Sequence, residues 1–271
     1  MRLMRLSETG HHEEAAYFAV PRAHLYTVLH ETANPKARVI LVGPLASERH
    51  FSYHPWVRWA RYLATRGIEV LRFDYRGVGE STGAFEEMSF ETWAQDVRLL
   101  TEWFNARPPE VPLIVHGLEI GALLAGRAFE DGVGDALLLW SPPANANQAL
   151  RSSLALWAGL EQMWESSENK RSAAQYIGDL EQDIAIEVQG YQWSGALWHE
   201  SLLVELPEAM KSERESGILN GKPVRIINLD KSAAPLIKPH IMYHELRDLT
   251  WLYSVNFAWI EGILNKPKEA K

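Results

Sequence analysis

His116-Gly117-Leu118-Glu119-Ile120-Gly121-Ala122 is the stretch whose reading decides the fold. It follows a continuous apolar run, Leu113-Ile114-Val115, and leads into a helical pattern from Ile120 to Phe129. A buried strand that turns sharply into a helix needs small residues on both sides of the bend. Gly117 and Gly121 supply them. The residue at the crest of such a bend is held in a sparsely populated backbone conformation at a helix N-terminus. Here that residue is Glu119.

Working outward, short apolar runs alternate with helical patterns. Val39 to Val42, Ile68 to Phe73 and Ala136 to Trp140 read as strands buried on both faces. Trp56 to Arg66 carries apolar residues at helical spacing and ends at Gly67, a suitable C-terminal cap. Ser89 can cap a helix in which Phe90, Trp93, Ala94, Val97 and Phe104 share a face. Ahead of these, Ala15 to Val20 and Leu25 to His30 form a hairpin pattern joined at Pro21 to His24. The alternation predicts an α/β fold with a mostly parallel sheet and helices on both faces. After Pro143 the pattern changes. Residues 144–220 show helical periodicity without a convincing buried strand, and are expected to form a helical lid insertion. Residues 1–143 and 221–271 are expected to form the core, with a strand at Val224 to Leu229 and a last helix from about Leu246 to Leu264.

Three further segments join the bend: Gly43-Pro44-Leu45 after a strand, Asp74-Tyr75-Arg76-Gly77-Val78-Gly79-Glu80-Ser81 after the next, and the insertion after Trp140. Together they resemble the α/β-hydrolase superfamily. In that superfamily the bend is the nucleophile elbow, the first loop carries the oxyanion hole, and the insertion is a lid. The run from Pro44 and Glu48-Arg49 through Leu71 to Gly77 and on to Gly117 to Ala122 resembles the exosortase A system-associated hydrolases, a bacterial group that often lacks the elbow serine. That resemblance implies a context of exopolysaccharide or surface-protein export.

Glu119 cannot repeat a serine mechanism, in which histidine takes the hydroxyl proton and backbone N–H groups hold the oxyanion. Three readings stand. The chain is a non-catalytic, ligand-binding or accessory pseudoenzyme; or Glu119 is a carboxylate nucleophile toward a small ester or related substrate; or another hydroxyl, Ser47 or Ser141, serves. The resemblance places oxyanion donors at the N–H groups of Leu45 and Ile120. It puts the acid of a triad at Asp230 and the base at His240 or His244, which lie 10 and 14 residues further on. His116 and Ser141 are candidate pocket residues, although packing in the core is the simpler reading for His116. His50 and His54 are candidates for the pocket mouth, although surface placement is the simpler reading.

Other chemistry is poorly supported. The net charge is -8 without a basic run, which argues against a nucleic-acid groove. With no cysteine, thiolate catalysis and Cys-ligated zinc are excluded. Gly77-Val78-Gly79 is followed by Gly83, one residue too late for a dinucleotide fingerprint. There is no Walker A loop and no H-E-x-x-H, so neither cofactor nor metal is expected. No signal peptide is apparent, and no stretch approaches the roughly 20 apolar residues of a membrane span. The expectation is a cytoplasmic protein that takes a small-molecule ligand with an apolar part. The 11 tryptophans, four of them at Trp157, Trp164, Trp193 and Trp198, either line that ligand's cavity or pack the lid on the core.

Overall fold

The computed structural model of the chain describes residues 2–8, 11–164, 170–211, 216–229 and 249–265. Three antiparallel strands come first: β1 (Arg2–Glu8), β2 (His11–Val20) and β3 (Ala23–Glu31). Then β4 (Ala37–Val42), α1 (Ala46–Ala64), β5 (Ile68–Phe73), α2 (Phe90–Asn105), β6 (Leu113–Leu118), α3 (Ile120–Glu130) and β7 (Ala136–Trp140) alternate. The insertion follows as α4 (Ala146–Trp164), α5 (Ala173–Glu181), β8 (Ile186–Val188), β9 (Tyr191–Trp193), α6 (Gly195–Ser201) and α7 (Glu208–Lys211). The chain returns through β10 (Gly217–Leu219) and β11 (Lys222–Ile227) to α8 (Thr250–Leu264).

Among the described residues, nine strands form one sheet in the order β1-β2-β3-β5-β4-β6-β7-β11-β10. Strands β5, β4, β6, β7 and β11 run parallel, as the α/β-hydrolase fold requires. Every residue of β4, β6 and β7 is buried, because helices cover both faces. One face packs α2, α3 and the insertion through Phe90, Trp93, Leu123, Leu154 and Trp198. The other packs α1 and α8 through Trp59, Leu63, Trp140, Leu252 and Ile260.

Several elements differ from the sequence reading, among them β1, which it did not contain. Helix α1 begins at Ala46, ten residues before the apolar periodicity at Trp56, and runs through Pro55. Its early turns are polar, so periodicity alone does not reveal them. The insertion is also not purely helical. Strands β8 and β9 form a short hairpin, and β10 pairs with β11 at the edge of the main sheet. These strands have three residues each, too few to show an alternating pattern.

Candidate active site

The bend after β6 has the geometry expected of a nucleophile elbow. Glu119 adopts φ 52° and ψ −123°, a region that L-residues enter only when their surroundings force it. Two backbone bonds fix it. Its N–H donates to the Trp140 carbonyl at 2.9 Å, and its carbonyl accepts from the Ala122 N–H at 2.9 Å. The flanking glycines are needed for space. A Cβ on Gly117 would lie 2.4 Å from Ala122 Cα, and one on Gly121 would lie 2.2 Å from the Gly43 carbonyl oxygen. The second contact shows that the start of α3 is pressed against the loop after β4.

That loop is itself held in place. The Tyr75 hydroxyl donates to the Gly43 carbonyl at 2.8 Å. Leu45 is the N-cap residue of α1 and is buried, and Ala46 takes φ 52°. The loop after β4, which leads to Leu45, and the start of α3 at Ile120 are therefore neighbours. The turn after β5 is built around Asp74. Its carboxylate accepts from Arg49 Nη2 at 2.7 Å and from the Glu80 N–H at 3.0 Å. Ser81 donates its hydroxyl to the Asp74 carbonyl at 2.6 Å and accepts from the Tyr26 N–H at 2.8 Å, so it is a structural tie.

Sequence reasoning missed a second carboxyl group. Glu48, in the first turn of α1, is buried, and its Oε2 accepts a short hydrogen bond from the Ser153 hydroxyl of α4. The available signal was a carboxylate three positions beyond Leu45. Ser153, which lies in the insertion, gave none. Burial pushes the Glu48 carboxyl up to about 7, against the lowering effect of the Ser153 bond. Burial, and then the Glu48 charge, push Glu119 up to about 8. The helix dipole favours an anion at an N-terminus by only about 0.3–1 kcal/mol, and the Glu119 side chain makes no capping bond. Burial wins, and near neutral pH Glu119 is mainly a neutral acid that can donate a hydrogen bond.

The other candidates fall in different places. His116 is fully buried between Trp56, Trp59 and Trp140, with ring centroids 4.9, 6.1 and 4.6 Å away. It is a core residue and not part of an open pocket, because alternation along β6 turns it toward the α1 face. Trp59 Nε1 donates to its Nδ1 at 3.0 Å, which leaves the proton of the neutral ring on Nε2. Burial lowers the pKa of this imidazole well below the ordinary histidine value. Ser141, at φ 48°, closes β7 onto β11. Its N–H donates to the Ile227 carbonyl at 2.8 Å, and its hydroxyl accepts from the Leu229 N–H at 3.1 Å. His50 and His54 are exposed on α1. Asp230, His240 and His244 lie outside the described residues.

The insertion is tied to the core at several points besides Ser153. The Glu200 carboxylate of α6 accepts from the N–H groups of Phe90 and Glu91 at 2.9 and 3.2 Å, at the start of α2. Tyr191 of β9 packs its ring on Phe85, with centroids 4.9 Å apart. Trp193 and Trp198 are buried in the shared core, so they pack the insertion against the sheet.

Residues 33–177 match the family model Hydrolase_4, described as serine aminopeptidase, S33. The chain belongs to this α/β-hydrolase family. The Danio rerio lysophosphatidylserine lipase ABHD12 is 32% identical over 101 residues, which are 35% of this chain and 26% of that protein. The chain thus spans about a quarter of the length of that curated relative. Among solved structures, alpha/beta hydrolase domain-containing protein 10 from mouse superposes with a TM-score of 0.56 at 15% identity, covering 92% of this chain and 99% of that one. The structure of DcsB in complex with its substrate analogue gives a TM-score of 0.60 at 11% identity, covering 94% and 100%. At these identities the two structures speak to the fold alone. No described helix is long and apolar enough to cross a membrane.

Proposed function

We propose that this chain is a ligand-binding member of its family, in which serine-type acyl transfer is lost and Glu119 reads a small, partly apolar molecule that offers a basic or hydroxyl group. One observation carries the reading. The bend has the strained backbone of an elbow, yet its crest holds a half-buried carboxyl group, whose pKa desolvation and the nearby Glu48 carboxyl raise, where a hydroxyl would be needed. A neutral acid is a poor nucleophile and a good hydrogen-bond donor. A basic ligand would instead hold Glu119 ionised and supply the countercharge that the pair lacks among the described residues. The resemblance noted above gives the proposed setting, a cytoplasmic accessory to bacterial surface-polymer export.

The second reading is hydrolysis of a small ester, with the Glu119 carboxylate as nucleophile. What favours it is the strained backbone at residue 119, retained as an attacking group would need. Glutamate sets its carboxyl about one bond beyond an aspartate's, and a misplacement of about 1 Å can cost roughly a hundredfold in rate. The test is a panel of short acyl esters with wild type and Glu119→Gln, run beside a fluorophosphonate probe. We expect no labelling and no turnover above buffer. Turnover that disappears in Glu119→Gln would replace binding by catalysis at this residue, and labelling would point to a serine elsewhere.

A further inference from the structure

A second cleft lies away from the elbow, where the antiparallel flank of the sheet meets the start of α1. Its volume is about 410 Å³, within the range of small-molecule sites. Register explains its composition. Tyr17 pairs with Tyr26 across β2 and β3, and Val28 pairs with Arg72 across β3 and β5, so these side chains share one face of the sheet. Tyr53 of α1 forms another wall and is 48% exposed.

The unusual group is Arg72. Its Nε donates to His30 Nε2 at 3.0 Å, and its guanidinium carbon lies 5.9 Å from the Tyr53 ring centroid. Among the described residues no carboxylate pairs with it. Other arginines of the core each have one: Arg38 with Glu69 at 2.8 Å, Arg49 with Asp74 at 2.7 Å and Arg76 with Asp96 at 2.6 Å. The nearby carboxylates are already engaged. Glu13, behind His30, is held by Arg61 at 2.6 Å, and Asp74 is held by Arg49. Glu80 sits exposed at the rim.

We infer that this cleft is a binding site for a small organic carboxylate with a flat ring, its carboxylate on Arg72 and its ring among Tyr17, Tyr26 and Tyr53. A guanidinium with two free terminal nitrogens presents the planar fork that a carboxylate matches. The tyrosines form an aromatic wall for the ring, and Tyr26 and Tyr53 add hydroxyls for the rest of the molecule. Asp74 and Glu80 on the same wall favour a monoanion over a doubly charged phosphate.

The probe is 4-hydroxybenzoate, titrated into the full chain by calorimetry beside its neutral counterpart 4-hydroxybenzyl alcohol. We expect saturable binding of the acid, a much weaker signal from the alcohol, and a loss of about tenfold or more in Arg72→Gln. Tyr53→Ala, a change at an exposed side chain, should weaken binding severalfold with an unchanged circular dichroism spectrum. Running both titrations in a Glu119→Gly background, which removes the elbow acid at a backbone geometry that glycine tolerates, assigns the preference for the acid over the alcohol, and its loss in Arg72→Gln, to this cleft and not to the elbow. No saturable binding at millimolar acid would overturn the assignment. So would equal affinity for the alcohol, or unaltered affinity in either cleft variant.

Discussion

Glu48→Gln should make the protein more stable at alkaline pH and leave its stability at acid pH nearly unchanged. Glu48 is buried, and its carboxyl is pushed from the ordinary 4.5 up to about 7. Between those values the folded chain keeps a proton that the unfolded chain has released. Unfolding then releases a proton, so raising the pH favours unfolding. The group's contribution is complete below about 4.5, falls as pH rises through about 7, and stays lost above that. At 1.36 kcal/mol per tenfold change in proton affinity, the displacement amounts to roughly 3 kcal/mol. It is an upper figure, because Glu119 titrates in the same region and the two groups share the effect. Glutamine keeps an oxygen to accept the Ser153 hydroxyl but cannot ionise. Urea denaturation followed by tryptophan fluorescence, for wild type and variant at pH 5 and pH 8.5, isolates the difference from the other carboxylates. The variant should gain up to about 3 kcal/mol relative to wild type between the two pH values. A difference that stays constant would refute the claim that burial dominates this carboxyl.

Gly121→Ala places a methyl group 2.2 Å from the Gly43 carbonyl oxygen and should cost about 3 kcal/mol or more, read as a lowered denaturation midpoint or insoluble expression. Glu69→Ala leaves Arg38 fully buried without the carboxylate that now receives its Nε, and the same measurement should show a loss of about 3–5 kcal/mol. Glu200→Ala removes the carboxylate that receives two N–H groups of α2; limited proteolysis should then cut the insertion faster while leaving the sheet intact. Ser89→Ala, which deletes the side-chain cap on Thr92 N–H at 3.1 Å, should cost about 1 kcal/mol in chemical denaturation.

The parallel strands were legible because a strand buried on both faces has to be a continuous apolar run. Val39 to Val42 and Ala136 to Trp140 leave no other reading. The elbow was legible because its two glycines are dictated by contacts under 3 Å that no side chain can meet. The polar half of the site was not. Glu48 and Ser153 are 105 residues apart, and nothing in either neighbourhood marks a hydroxyl of the insertion as the partner of a core carboxylate. His116 is a different case: its position allowed either a pocket or a packed side chain, with packing the simpler reading, and one step of strand alternation does send it into a cluster of tryptophans. Short strands such as Ile186–Val188 escape because three residues complete barely one period of alternation.

Two of the polar ties between residues 144–220 and the core differ in what releasing them requires. Lifting Ser153 from Glu48 exchanges one hydroxyl bond for water at the site of a group already poised to lose its proton. Detaching Glu200 uncovers two backbone donors of a long core helix at once, at the end where its dipole attracts the acid. Of these two polar ties the bond to α4 is the easier to open, so the hold of residues 144–220 on the core is lopsided, with the more exchangeable fastening beneath the longest helix of that segment.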